Sequence, residues 1–430
     1  MIKKIIVTDP AADAATFRNS RAGLSEELIQ NVAAIMNNVA QQGDVAVADY
    51  TKKLDGVILK SLRVTGEEFE RAFSMVTKEQ IQAVNLIKKR LTEVEEALMK
   101  QLKGIRIFSD GILMKRFTQA ISSVGCYIPG GKARYASTVA MCAVPAKVAG
   151  VKRIVAISPP LKDGTVDPLT LVAAKICGIN EFYKIGGAQG IAALAFGTPS
   201  IKRVSKIVGP GGAFVTGAKY VASRMVSIDM LAGPTELLIY ADSASDPKLI
   251  AMDLVSQAEH SSDSFCGLVT TSEELTQKVA AQVEFILKES IIPRAEIVRK
   301  CLEQNGFIAI CKNQATAIEF ANEIAPEHLE LLCKNARSIS KKVASAGLVL
   351  IGKYTPSSAS DYCFGSNHIL PTMGFSKSRS SLSVLDFLKL ANTLEATKYG
   401  LEKVQHEIRE MASAEGLMNH YLAVRERLAK

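Results

Sequence analysis

The spacing of apolar positions divides the chain into five stretches. Residues 25–103 read as helical. Thr77 and Gln80 are the ends of a capping box, and Ile81, Val84, Ile87, Leu91, Val94, Leu98 and Leu102 then recur at steps of three and four, predicting a long amphipathic helix with one apolar face. In IRIFSDGILMKRF, Asp110-Gly111 separates two strand-like runs, a hairpin signal. From about Gly125 the pattern becomes strand, glycine turn, helix: the strands are VKRIVAIS, EFYKIGG, VSKIVG and MVSIDM, and the helices include VDPLTLVAAKICG and the stretch after Gly187. A further alternating region carries ELLIYAD, FCGLVTT, GFIAIC and LVLIGKY. Such alternation implies parallel strands joined by helical crossovers, hence two α/β units. After Ser380 the strand signals stop. The tail reads as helical, with too few apolar positions for a core of its own, and is expected to pack on something else.

Composition narrows the class. At 430 residues, 48% apolar and 22% charged, the chain is a soluble globular protein of roughly two or three domains. No apolar run approaches the ~18 residues of a membrane span, and MIKKIIVTDP is too short an apolar start for a signal peptide, so a cytoplasmic location without membrane contact is expected. The net charge of +9 is dispersed. Its densest cluster, Lys88-Lys89-Arg90, precedes Glu93, Glu95 and Glu96 as on a solvated helix face, and no basic stripe interleaves with aromatics, which argues against nucleic acid but leaves room for small anionic ligands. Eight cysteines stand singly with no CxxC pair and read as reduced core thiols.

Candidate chemistry gathers around the five histidines. Gln257 and His260 stand three apart near the end of a helix that Asp246 caps and Pro247 opens, so their side chains can share a metal; an exposed polar helix end is the alternative. Glu327 and His328 follow Pro326, which suits the first turn of a helix, where a carboxylate is stabilised and an imidazole kept neutral as a base; simple dipole complement is the other reading. Asp361, in the small-residue stretch TPSSASDYCFGSNH, is a candidate oxygen ligand. His368 reads as a structural hydrogen-bonder, and His406 as a surface residue. Gly209 and Gly211 have GxG spacing between a strand and a helix, and Asp229 lies twenty residues on, but Phe214 replaces the third glycine of a dinucleotide fingerprint. IGGAQGIAALAFG offers a second glycine turn entering a helix.

Taken together, SIDMLAGPTELLIYAD, DLVSQAEH, APEHLEL, SDYCFGSNHILPT and the tail EGLMNH, with GCYIPGGKARYAST and IGGAQGIAALAFGT upstream, resemble the histidinol dehydrogenase family in order and spacing over essentially the whole chain. The resemblance implies one Zn²⁺ per subunit held by Gln257, His260, Asp361 and His420, and a catalytic pair Glu327 and His328. It implies a four-electron oxidation of L-histidinol to L-histidine by two NAD in turn, within histidine biosynthesis. Thr235, Glu415 and His420 would surround the substrate, with Ser137 and His368 nearby; Tyr127 and Gln189 match cofactor contacts. Two Rossmann-like α/β domains are implied: an N-terminal segment (1–22), a discontinuous first domain (23–126 and 238–382) with the metal and catalytic motifs, a cofactor-side domain (127–237), and a helical tail (383–430) that completes the partner's site in a domain-swapped homodimer. One position departs from the pattern. The family usually reads GPGN where this chain has Gly209-Pro210-Gly211-Gly212, so Gly212 lacks the amide that contacts NAD. Competing readings are a relative oxidising another primary alcohol such as a sulfonated diol, a zinc hydrolase using Glu327 on water, and a metal-binding protein without catalysis.

Overall fold

Fourteen strands run through the described residues: β1 (Lys3–Val7), β2 (Ile105–Ser109), β3 (Ile112–Ala120), β4 (Ser123–Tyr127), β5 (Arg153–Ile157), β6 (Glu181–Tyr183), β7 (Lys206–Val208), β8 (Ser227–Ile228), β9 (Glu236–Ala241), β10 (Phe265–Thr270), β11 (Gly306–Cys311), β12 (His328–Leu332), β13 (Leu348–Ile351) and β14 (Leu388–Ala396). The structure is a computed structural model and describes residues 2–20, 23–130, 134–288 and 292–429, so part of GCYIPGGKARYAST lies outside the described residues.

The apolar runs ELLIYA and FCGLVT become β9 and β10, buried end to end in a six-stranded parallel sheet of order β1-β11-β10-β9-β12-β13. Burial on both faces is what a parallel strand without polar alternation requires. Val7, Leu238, Phe307, Phe320 and Leu329 fill one face, and Ile250, Leu254, Leu268, Val279 and Val298 the other. β4 to β8 form a second parallel sheet of order β6-β5-β4-β7-β8. This is a doubly wound order, and its direction reverses between β4 and β7, where the crevice beyond the strand ends is the usual place for a nucleotide.

The domain grouping differs from the expectation in two places. The helices between 26 and 101 pack on the five-stranded unit rather than on the six-stranded one. Val84, Ile87 and Leu91 of Lys78–Gln101 meet the alanine-rich helix Ala136–Val148, and Val32, Met36 and Val39 of Glu26–Gln42 meet Gly187–Phe196 and Ala213–Ala222. Small side chains on the central helices let the outer ones approach closely enough to bury their apolar faces. Residues 3–20 are not a separate segment, because β1 pairs with β11 and Ala14 lies in the core of the six-stranded unit.

The tail also differs. Besides the helices Lys398–Ala414 and Met418–Leu428 it contains β14, which pairs antiparallel with β3 of the expected β2-β3 hairpin. Polar residues at both parities of LKLANTLEA hide the strand, and β2 and most of β14 are exposed on both faces. All eight cysteines are free, six of them buried. Among the described residues no helix is long and apolar enough to cross a membrane.

Candidate active site

His328 does not start a helix. It opens β12, paired with Leu237 of β9, so Glu327 and His328 at the beginning of β12 sit beside Thr235 and Glu236 at the beginning of β9. The strand follows from the run HLELL, whose leucines fill the core face, and its pairing to β9 outweighs the helix-start signal of Pro326. Asp246 does cap its helix, accepting from the Lys248 amide at 2.9 Å, and Pro247 is the first helical residue. That helix ends at Ala258, delivering Gln257 from its last turn and His260 from just beyond it.

A chain of hydrogen bonds links these elements. Gln257 Nε2 donates to Thr235 Oγ1 at 2.7 Å, and Thr235 Oγ1 donates to Glu327 Oε2 at 2.6 Å. The Glu236 amide donates to the same Glu327 oxygen at 2.8 Å, and the Glu327 amide returns a bond to Glu236 Oε2 at 3.2 Å. Burial is the largest influence on the Glu327 carboxyl and pushes it up to about 7, with His328 and these donors pulling the other way. The His328 imidazole is buried too, and its Nδ1 donates to the Glu236 carbonyl at 3.3 Å. Nε2 is therefore the free position; it is buried without a hydrogen-bond partner, 3.6 Å from Asp361 Oδ1. Burial alone would lower this imidazole, but the Glu327 and Asp361 carboxylates outweigh it and raise it to about 9.

Asp361 closes the short helix Ser357–Ser360, whose first amide donates to Glu330 Oε1 at 2.6 Å. Its carbonyl accepts from His368 Nδ1 at 2.9 Å, and His368 Nε2 takes the Thr138 hydroxyl at 3.1 Å. His368 thus ties the six-stranded side to helix Ala136–Val148, as its structural reading expected, and Ser137 lies half-buried on the same helix. His260 stands exposed at the rim, facing the Asp361 charge.

Gln257, His260 and Asp361 are therefore brought together around His328, whereas His420 and Glu415 are not. Both are exposed in a groove of about 340 Å³ lined by tail residues alone. Among the described residues no group of three or more His, Cys, Asp or Glu is arranged to hold a metal.

The residues expected to contact a cofactor lie at the switch point of the second sheet. Tyr127 ends β4, and Gly209 follows β7. The buried Tyr127 hydroxyl accepts from the Gly187 amide at 3.3 Å, and Gln189 Oε1, on the helix Gly187–Phe196, is buried with no partner. Gly212 caps helix Ala213–Ala222 with open space where a Cβ would stand. Asp229 is not free to hold a ribose, because it is buried against Lys219. Sequence reasoning overlooked Glu236 and Thr138. A glutamate opening an otherwise apolar strand in PTELLIYA was the available signal for the first; Thr138 had none.

The histidinol dehydrogenase family model matches residues 19–428. Histidinol dehydrogenase of Methanocaldococcus jannaschii is 39% identical over 100% of this chain and 99% of its own, and that of Bacillus cereus is 44% identical over 94% of each. A crystal structure of histidinol dehydrogenase from Elizabethkingia anophelis superposes with a TM-score of 0.92 at 35% identity, covering 99% of this chain and 98% of the other. With Gln257, Thr235, Glu327, His328 and Asp361 gathered at one site, these similarities lead to one conclusion: the chain belongs to the histidinol dehydrogenase family.

Proposed function

We propose that this chain oxidises L-histidinol to L-histidine through bound L-histidinal, with zinc and two molecules of NAD, in the cytoplasm and as a step of histidine biosynthesis. The observation that carries the reading is the buried pair Glu327 and His328, one carboxyl oriented by Thr235 and one imidazole with its Nε2 unpartnered beside Asp361.

The donor chemistry fits zinc. Gln257, His260 and Asp361 offer an amide oxygen, an imidazole and a carboxylate, a set that leaves the ion cationic. His420 of a second copy is the proposed fourth ligand. The orphan Gln189 Oε1 and the open space before Gly212 fit a dinucleotide at the switch point. When bound, zinc orients and polarises the substrate's imidazole and amino nitrogens, and each NAD accepts one hydride.

The residues then divide the proton work. His328 Nε2 takes the proton of the alcohol as the first hydride leaves carbon, while its Nδ1 bond to the Glu236 carbonyl holds the tautomer. A cation drawing on Asp361 removes part of the charge that raises this imidazole, bringing it nearer a base's working range. Glu327, with Oε2 occupied by two donors, takes a proton from water at Oε1 as that water adds to the aldehyde. The hydrate then gives up the second hydride. The balance is RCH₂OH + H₂O + 2 NAD⁺ → RCOO⁻ + 2 NADH + 3 H⁺.

The doubly wound sheet disfavours a hydrolase, which has no need of a dinucleotide crevice. Steady-state NADH formation with L-histidinol, beside L-histidinal and a set of diols, tests the reading. Two NADH per histidinol are expected, and absence of NADH from histidinol at every pH would sink it.

A further inference from the structure

The glycine turn that follows β7 is held from below by a buried ion pair. Lys219 Nζ lies against Asp229 Oδ1, and both side chains are fully buried. The pair captures both polar backbone groups of one residue. The Gly209 amide donates to Asp229 Oδ2 at 2.8 Å, and Lys219 Nζ donates to the Gly209 carbonyl at 2.9 Å. Asp229 is itself fixed, because its Oδ1 accepts from the Met230 amide at 2.6 Å and its carbonyl accepts from Arg379 Nη1 at 2.6 Å.

Gly209 has φ of +114°, and a Cβ there would collide with the Tyr127 carbonyl oxygen, so the turn lies directly against the end of β4. Lys219 sits almost two turns into the helix that Gly212 caps, and helical side chains lean toward the N-terminus, which carries its ammonium back under the turn. A buried pair of this kind is weak support for stability, since desolvation offsets its attraction. Its geometric effect is specific: it sets where residues 209–212 stand relative to Tyr127.

We propose that Lys219 and Asp229 are positioning residues for the dinucleotide, fixing the backbone of the 209–212 turn so that cofactor affinity depends on their charge pair. This rests on the reading of that turn as the NAD site. Because Gly212 offers no side chain, placement of backbone groups carries correspondingly more of the recognition here.

The test compares the full-length, zinc-loaded protein with Lys219→Met and with Asp229→Glu, which keeps both charges and lengthens one arm. In Lys219→Met the Kd for NAD, measured by calorimetry without substrate, and the KM for NAD are both expected to rise at least tenfold, with kcat at saturating NAD and the KM for L-histidinol within about twofold. In Asp229→Glu a three- to tenfold rise in the KM for NAD is expected. A folded variant of either kind with the parental KM for NAD, or a parallel loss in kcat and both KM values, overturns the proposal. If Lys219→Met does not fold, Asp229→Glu decides. A parent that NAD does not saturate would instead refute the cofactor reading, and the clamp with it.

Discussion

At the scale of single residues, the site separates one base from another by what each atom already holds. His328 has Nδ1 committed to a carbonyl and Nε2 unpartnered, so His328→Ala is expected to lower kcat for histidinol by about 10²- to 10⁴-fold, the usual worth of a general base. Glu327→Gln keeps the acceptor for Thr235 and the Glu236 amide but cannot take a proton from water. Aldehyde oxidation should therefore fall far more than alcohol oxidation, and equal losses in single-turnover assays of the two halves would refute the division. Gly212 faces open space at a helix cap with φ of −70°, a geometry that asparagine adopts without strain. Gly212→Asn should lower the KM for NAD by about fivefold, the equivalent of roughly 1 kcal/mol for one net hydrogen bond. An unchanged or raised KM would show that the glycine turn has no use for the amide. Much of this scale was legible in the chain, because Gln257, His260 and Asp361 lie in short motifs. The roles of Glu236 and Thr138 were not, since each acts on a residue about 90 or more positions away.

At the scale of elements, β12 concentrates the departures from sequence reasoning. HLELL is short, and a preceding proline resembles a helix start, so only pairing with β9 and β13 decides its conformation. That pairing buries Glu330 as well as His328. Burial first, and the nearby Asp253 carboxylate second, hold the Glu330 carboxyl protonated well above the usual carboxylate range, while the Ser357 amide occupies its Oε1. The folded state therefore keeps a proton that the unfolded chain releases above about pH 4.3, and the stability associated with that proton declines as pH rises through neutrality. Glu330→Gln keeps a neutral side chain and should flatten the slope. Urea midpoints at pH 5.5 and 8.5 should differ more in the parent than in the variant; equal differences would refute a protonated Glu330. The long helix Lys78–Gln101 was the opposite case. Its capping box and periodicity are local, and both its ends and its apolar face are as the spacing predicts, with Val94 left half-exposed. Its partner is not local. Leu91→Ala, in the core shared with helix Ala136–Val148, should cost about 2–5 kcal/mol in the five-stranded unit, measured by chemical denaturation.

At the scale of the whole molecule, the tail is the unfinished part. Helix Met418–Leu428 has no buried residue, and Ile105, Phe108, Leu390 and Leu394 of the three-stranded sheet are half-exposed or more, as is Met411 on the neighbouring helix. Apolar side chains so exposed call for cover, and a second copy would supply it in the proposed dimer. If His420 serves the partner's site, mixing inactive His420→Ala and Asp361→Ala chains should restore up to half of the parental activity in verified heterodimers, since one of the two sites regains all its ligands. No recovery would argue against sites shared between chains. Removing zinc by chelation should abolish activity and its return should restore it; a chelated enzyme with full turnover would refute the metal's part. The sequence by itself determined most of the elements, the alternation that makes two parallel sheets, and the short motifs that carry chemistry, because periodicity, caps and turns are set by neighbours within a few residues. Only the tertiary structure decided that the helices of 26–101 belong to the five-stranded unit, that β12 is a strand, and that Asp229 holds a glycine turn from below. Those outcomes depend on which distant surfaces bury each other, and burial is a property of the packed chain rather than of any stretch of it.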